Sequence, residues 1–305
     1  MKARYLPRPV VLALMRLIAL TALNARVPLA RARRLLDAFA GLAPLPDGTA
    51  IQPVGLGDRP ADRITVGGSD APRAILYLHG GAWVTGSPRS HRSLTAHLAR
   101  DAAAVVFSLD YRLAPEHPFP AALDDAEAAF RDLVSHGWLP SQVAIAGDSA
   151  GGGLAVALAQ RLVASGVRPA ALGLISPAVD PVHLNTLPRR RDPVVRPRWA
   201  RESARMYRGA APFDAPGLAP VHDPLDRLPP TFIHAVPQEG LYPQISAFAR
   251  RVANAGVPVQ LVDLPGLWHV VHSSASVLRE ADDAVEQLGT WLRREIDRAS
   301  RRRAA

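Results

Sequence analysis

The sequence predicts an α/β fold: a mostly parallel, twisted sheet flanked by helices. Two observations carry this expectation. Six short, uniformly apolar runs punctuate the chain at 74–78, 103–109, 143–146, 171–175, 231–236 and 259–262. Each is too short and too evenly apolar for an amphipathic helix and fits a strand buried on both faces. Helical stretches separate most of them, at about 91–101, 121–136, 150–165, 241–255 and 276–298. Alternation of this kind implies parallel strands joined by crossovers. The size agrees, since 305 residues that are 48% hydrophobic and 21% charged can bury one large core.

Two segments break the alternation. Residues 1–45 are helical in pattern and Arg-rich, and residues 183–225, between the fourth and fifth runs, are rich in Pro and Arg. Segments outside a regular α/β core commonly decorate the carboxyl ends of its strands, where ligands bind. Both are therefore expected to form a helical cap. The expected organisation is N-terminal cap helices at 1–45, a first core part at 46–182, a cap insertion at 183–225, a second core part at 226–298 and a basic disordered tail at 299–305.

The N-terminus has the outline of a secretory leader, with Lys2, Arg4 and Arg8 ahead of an apolar run from Val10 to Leu23. Arg16 interrupts that run, and the apolar spacing continues through Leu29, Leu35, Leu36 and Phe39. This favours amphipathic helices that belong to the fold, and the run is too short to span a bilayer. A cytoplasmic location is expected. A basic amphipathic helix can also lie on an anionic membrane surface, so weak peripheral contact through this segment stays open beside the cleaved leader.

Composition narrows the chemistry. With no cysteine, disulfide scaffolds, thiolate metal sites and a cysteine nucleophile are excluded. The formal charge is +9, and 35 of the 36 basic residues are Arg, Lys2 being the exception. They fall in scattered groups (31–34, 189–191, 293–294, 301–303) rather than one stripe, with no nucleic-acid-binding motif beside them. They read as solvated faces, and no nucleic-acid partner is expected.

The most specific motif is Gly147-Asp148-Ser149-Ala150-Gly151, which follows the apolar run 143–146 and precedes a helical stretch. G-x-S-x-G in a strand–turn–helix context forces its central residue out above the sheet, so Ser149 is the candidate nucleophile. The helix beginning there points amides at the same spot. A phosphate-binding loop would need a different glycine spacing or a following Lys, and neither is present. About 70 residues earlier, His79-Gly80-Gly81-Ala82-Trp83 ends the first run. Consecutive glycines free backbone N–H groups to face a developing oxyanion, and the expected donors are Gly80, Gly81 and Ala150.

These two motifs, with Asp110-Tyr111-Arg112-Leu113-Ala114-Pro115-Glu116 between them, resemble the hormone-sensitive-lipase-like branch of the α/β-hydrolases. The resemblance spans about residues 45–295 and implies an α/β-hydrolase core with a cap from the N-terminus and an insertion. Bacterial members are mostly carboxylesterases. The ionic residues of the 110–116 motif are read as structural supports beneath the site.

The order Ser…Asp/Glu…His places the other partners after Ser149. His269, in the loop after the last apolar run, stands where the resemblance places the general base; His272 is the alternative, and the remaining histidines read as structural. The usual acid position departs from the pattern: the stretch 236–244 holds no Asp, and Glu239 takes the D-x-L register, 30 residues before His269. Glu239 is the expected acid and Asp263 its rival. Trp83, Trp199, Tyr207 and Trp268 are candidate pocket residues, each equally readable as packing.

The resulting expectation is hydrolysis of a short- to medium-chain carboxylic ester through an acyl-serine intermediate, with no metal or organic cofactor. The partner is a small-molecule ester, and a homodimer is a candidate assembly. Lactone hydrolysis and action as a membrane-surface lipase would use the same triad. A non-catalytic binder on the same fold is disfavoured by the retention of both Ser149 and His269.

Overall fold

The computed structural model describes residues 5–41, 43–68, 72–184 and 192–304, with Ala40, Arg303 and Ala304 described by backbone alone. Lys2, Arg4, the 189–191 arginines and part of the expected cap insertion lie outside the described residues.

Eight strands form one sheet: β1 (Thr49–Leu56), β2 (Arg59–Val66), β3 (Ala74–Leu78), β4 (Val105–Leu109), β5 (Val143–Asp148), β6 (Leu172–Ile175), β7 (Thr231–Ala235) and β8 (Val259–Asp263). Their spatial order is β1-β2-β4-β3-β5-β6-β7-β8. Strands β4 to β8 run parallel, with β3 between β4 and β5, while β1 and β2 pair antiparallel at one edge. All six expected strands are present. The uniformly apolar strands β3 to β7 are buried throughout, whereas β8, at the opposite edge, leaves residues of both faces partly accessible.

The β1–β2 hairpin was not anticipated. Its register pairs Leu56 with Arg59, leaving a two-residue loop in which Gly57 (φ 57°) and Asp58 (φ 62°) are both left-handed. That is the hairpin turn whose twist matches its flanking strands.

Helices cover both faces. In β3, Ile75 and Tyr77 face α3 (Arg92–Ala102) and α8 (Arg279–Ala304), joining Leu94, Leu98, Leu288 and Leu292 in one core layer. Leu76 and Leu78 face the other way, toward α4 (Ala121–Ser135), α5 (Ser149–Ala164) and α7 (Tyr242–Asn254). Helix α8 continues to Ala304, so residues 299–304, expected as part of a disordered tail, belong to its end, and Ala305 lies outside the described residues.

Helices α1 (Arg8–Thr21), α2 (Leu29–Ala40) and α6 (Pro197–Arg208) come from the two segments outside the alternation. Val11 of α1 packs on Trp268, Val271, Leu278 and Ala281. In α2, Arg33 donates to the Val84 and Ala114 carbonyls and pairs with Glu116 at 2.8 Å. Asp37 accepts a short hydrogen bond from the Ser87 hydroxyl. These contacts tie α2 to loops at the carboxyl ends of the sheet.

Candidate active site

The turn from β5 into α5 sets the centre of the site. Ser149 sits at φ 50°, a left-handed conformation that a non-glycine residue holds only where the surroundings impose it. The glycines explain the imposition. A Cβ on Gly151 would strike the Leu78 and His79 carbonyls, and one on Gly147 would strike the Gly151 carbonyl. The turn is therefore pressed against the end of β3, and Ser149 projects from its crest into a cavity.

Two loops at neighbouring strand ends complete the arrangement. Ser149 Oγ lies 2.9 Å from His269 Nε2, and His269 Nδ1 lies 2.5 Å from Glu239 Oε2. Glu239 follows β7 and is 1% exposed; His269 follows β8 and is 5% exposed. The other Glu239 oxygen accepts the Val236 N–H at 3.1 Å, which fixes the carboxylate. A carboxylate facing Nδ1 assigns the ring proton to that nitrogen and leaves Nε2 as an acceptor for the serine hydroxyl. Burial opposes a charged imidazolium, but the hydrogen bond and charge of Glu239, supported by Asp192 and Asp148, hold the His269 pKa above its usual value.

The alternatives lie elsewhere. Asp263 accepts the Tyr242 hydroxyl at 2.9 Å. His272 is buried with its Nε2 3.0 Å from His234 Nδ1.

The expected oxyanion donors need one revision. The Gly80 N–H donates to Asp148 Oδ1 at 2.9 Å and so is already used. Among the described residues no acceptor engages the amides of Gly81 and Ala82, and both residues line the cavity with Ala150, in the first turn of α5. The carboxylate that takes the Gly80 amide also accepts the Tyr77 hydroxyl at 2.8 Å and lies 3.4 Å from His91 Nε2. Burial alone would raise the Asp148 pKa, but His91, Tyr77 and the Gly80 amide together hold it below its usual value. Burial likewise opposes protonation of His91, and Asp148 overcomes it, raising that pKa. A buried ion pair thus supports the glycine loop from below.

The 110–116 motif surrounds the same loop. Tyr111 donates to the His79 carbonyl at 2.6 Å and stacks on its ring at 4.2 Å. Arg112 grips Asp125, with its closest contact at 2.7 Å, and Glu116 holds Arg33. Burial, with His91 nearby, lowers the His79 pKa to about 3, so that ring stays neutral.

The cavity above Ser149 measures about 290 Å³ and is walled mainly by apolar side chains, among them Met15 and Ile18 of α1, Leu36 and Phe39 of α2, and Trp199 of α6. Trp83 is also on the wall, as expected. Tyr207 stacks on Trp83 at 4.5 Å and 3% exposure, behind the wall rather than on it. Trp268 packs in the core beneath α1 and is not among the lining residues either.

The sequence offered no signal for Asp192, whose carboxylate lies within 4.8 Å of the facing Glu239 and His269 atoms. This trio has the composition of a cation site. Glu239 and His269 already bond each other, and Asp192 Oδ1 accepts the Val194 and Val195 amides.

Comparison with known proteins places this geometry. Residues 75–273 match the family described as alpha/beta hydrolase fold. An acetyl-hydrolase of Streptomyces hygroscopicus is 39% identical over 251 residues, covering 78% of this chain and 84% of that protein. An ethyl acetate hydrolase of Pseudomonas putida is 36% identical over 229 residues, covering 70% and 71%. Among solved structures, a hormone-sensitive lipase from a metagenome library superposes with a TM-score of 0.88 at 34% identity, covering 96% of this chain and 99% of that one. The chain belongs to the alpha/beta hydrolase family, in its hormone-sensitive-lipase-like branch.

Proposed function

We propose that the protein hydrolyses carboxylic esters through an acyl intermediate on Ser149. The observation that carries this reading is the unbroken Glu239–His269–Ser149 chain at the floor of an apolar cavity. In the first step His269 Nε2 takes the Ser149 proton as Oγ adds to the acyl carbon. The imidazolium so formed faces Glu239. The tetrahedral oxyanion accepts from the amides of Gly81, Ala82 and Ala150. Each such donor is worth roughly 3–4 kcal/mol to the transition state. Collapse breaks the ester C–O bond, and His269 returns the proton to the leaving alkoxide. A water, deprotonated by the same Nε2, then adds to the acyl carbon, and the carboxylic acid leaves as Oγ is reprotonated.

Substrates are esters with short to medium acyl chains. The compact apolar cavity supports this, as do the names of the acetyl-hydrolase and the ethyl acetate hydrolase. Labelling with a fluorophosphonate probe tests the nucleophile: wild type should label and Ser149→Ala should not. Equal labelling of both would end the assignment. Rates on esters of increasing acyl length then measure the cavity's reach.

A second reading concerns where the substrate comes from. Among the described residues, five of the eight exposed large hydrophobics, Leu6, Val10, Leu14, Leu17 and Leu20, lie on or just before α1. Residues 5–36 contain six arginines and no acidic residue. An apolar helix face within a cationic surface fits an anionic lipid surface, and α1 also walls the cavity. No helix among the described residues is long and apolar enough to cross a membrane, so any contact through α1 is peripheral. Sedimentation with phosphatidylglycerol vesicles should be strong at low salt, weaker at high salt and reduced by Val10→Asp/Leu17→Asp. Absence of sedimentation would remove this reading, and a dimer dissolved by the same substitutions would assign the face to a second copy.

A further inference from the structure

Away from the catalytic cavity, three side chains with metal-ligand chemistry converge at the root of the segment between β6 and β7. Asp180 and His183 lie where the segment departs, and His222 lies where it returns. Asp180 Oδ2 is 3.0 Å from His183 Nδ1 and 3.2 Å from His222 Nε2, and the three ligand atoms all lie within 4.8 Å of one another. The two rings stand edge to face, 5.6 Å between centroids. None of the three residues lines the catalytic cavity.

These spacings match a metal site. With bonds of about 2.0–2.1 Å, neighbouring ligand atoms in a tetrahedral site stand about 3.3 Å apart, so the two spacings from Asp180 to the histidines already suit a shared cation. The carboxylate is held ready. The Asp180 side chain is 13% exposed, the residue's backbone N–H donates to Gln244 Oε1 at 2.9 Å, and Oδ1 accepts the His183 backbone N–H at 3.1 Å. Such supporting bonds orient a ligand before the ion arrives. Both imidazoles are more than half exposed. Two imidazoles and one carboxylate suit a first-row transition cation, whereas Mg²⁺ and Ca²⁺ prefer all-oxygen sites.

We propose that Asp180, His183 and His222 bind a divalent transition cation, Zn²⁺ by ligand chemistry, which joins the two ends of the segment between β6 and β7. The ion closes the loop from residue 183 to residue 222, which includes α6 and its cavity residue Trp199. Its role is to hold this segment in place. The triad works without it, so ester hydrolysis itself needs no metal.

The test uses the untagged full-length chain, stripped with a chelator and titrated with Zn²⁺ by calorimetry and thermal unfolding. The expected result is one Zn²⁺ per chain and a Tm that rises with free Zn²⁺ but not with Mg²⁺ or Ca²⁺. His183→Ala and His222→Ala should each weaken Zn²⁺ binding by at least about tenfold and abolish the Tm rise, while keeping wild-type hydrolysis after chelation. If His222→Ala does not fold, His222→Gln takes its place. Absence of binding would overturn the proposal, as would binding that both substitutions leave intact. Zn²⁺ that still binds the variants and inhibits hydrolysis would belong to Asp192, Glu239 and His269, and would overturn it equally.

Discussion

Glu239 is the residue on which this site departs from the pattern it otherwise follows, and its effect on His269 is measurable. The base must be neutral to accept the Ser149 proton, so kcat/KM falls as pH drops through the His269 pKa. Glu239 is the main cause holding that pKa above 6.5. Glu239→Gln removes the charge and the preference for the correct tautomer. The acid limb should move to lower pH, and the plateau rate should fall by at least about 10²-fold. Asp263→Asn should change neither, because Asp263 bonds Tyr242. A pH–rate profile of both variants decides the matter. At this scale the sequence singled out Ser149 by a local motif, His269 by the place the resemblance gives the base, and Glu239 by register alone. Gly80 was expected to donate to an oxyanion, and its amide instead meets a carboxylate 68 positions away. No local pattern reports a partner at that distance.

At the scale of elements, close packing decides what the turn into α5 tolerates. Gly151 and Gly166 lie near the two ends of this helix, yet substitution should affect them unequally. A Cβ on Gly151 meets the fixed carbonyls of Leu78 and His79, neither of which can move without breaking the end of β3. Gly151→Ala should cost more than about 4 kcal/mol or prevent folding. Gly166 has φ +81° and open space around it, so Gly166→Ala should cost only about 1 kcal/mol of backbone strain. Urea unfolding of both variants checks the contrast; similar losses would contradict the steric account. Elements were legible where their environment is uniform. Strands β3 to β7 are buried on both faces and read as apolar runs. The β1–β2 hairpin lies at the sheet edge and carries Gln52, Pro53, Arg59, Asp62 and Arg63, which break any apolar run. Asp62 is nonetheless only 7% exposed, because Arg92 of α3 pairs with it at 2.8 Å. That contact belongs to the tertiary structure and leaves no local trace.

At the scale of the whole molecule, the charge of +9 and the buried histidines act together in acid. His234 and His272 form a buried pair behind the catalytic loop, with Gln287 Oε1 2.9 Å from His234 Nε2. Burial lowers the His234 pKa to about 4 and that of His272 well below its usual value; burial and His91 do the same to His79. A histidine whose folded pKa is depressed contributes its full stability above the unfolded value of about 6.5. As pH falls below that, the unfolded chain takes the proton and the native state does not, so stability drains until the folded pKa is reached. His91 and His269, raised by carboxylates, work in the opposite direction. The depressed group outnumbers them, since His97 is also lowered by burial. Stability should therefore fall between about pH 6.5 and pH 4. Self-repulsion of an increasingly cationic chain adds to the fall but is shared with any variant that loses one histidine. His234→Gln isolates the histidine contribution, because it removes one titrating group and retains a side chain able to hydrogen-bond Gln287. Its unfolding free energy, followed by urea titration at pH 7, 6, 5 and 4.5, should decline less steeply than wild type by up to about 1.4 kcal/mol per pH unit. Parallel declines would show that His234 takes up its proton equally in the folded and unfolded chains, and would remove it from the acid sensitivity.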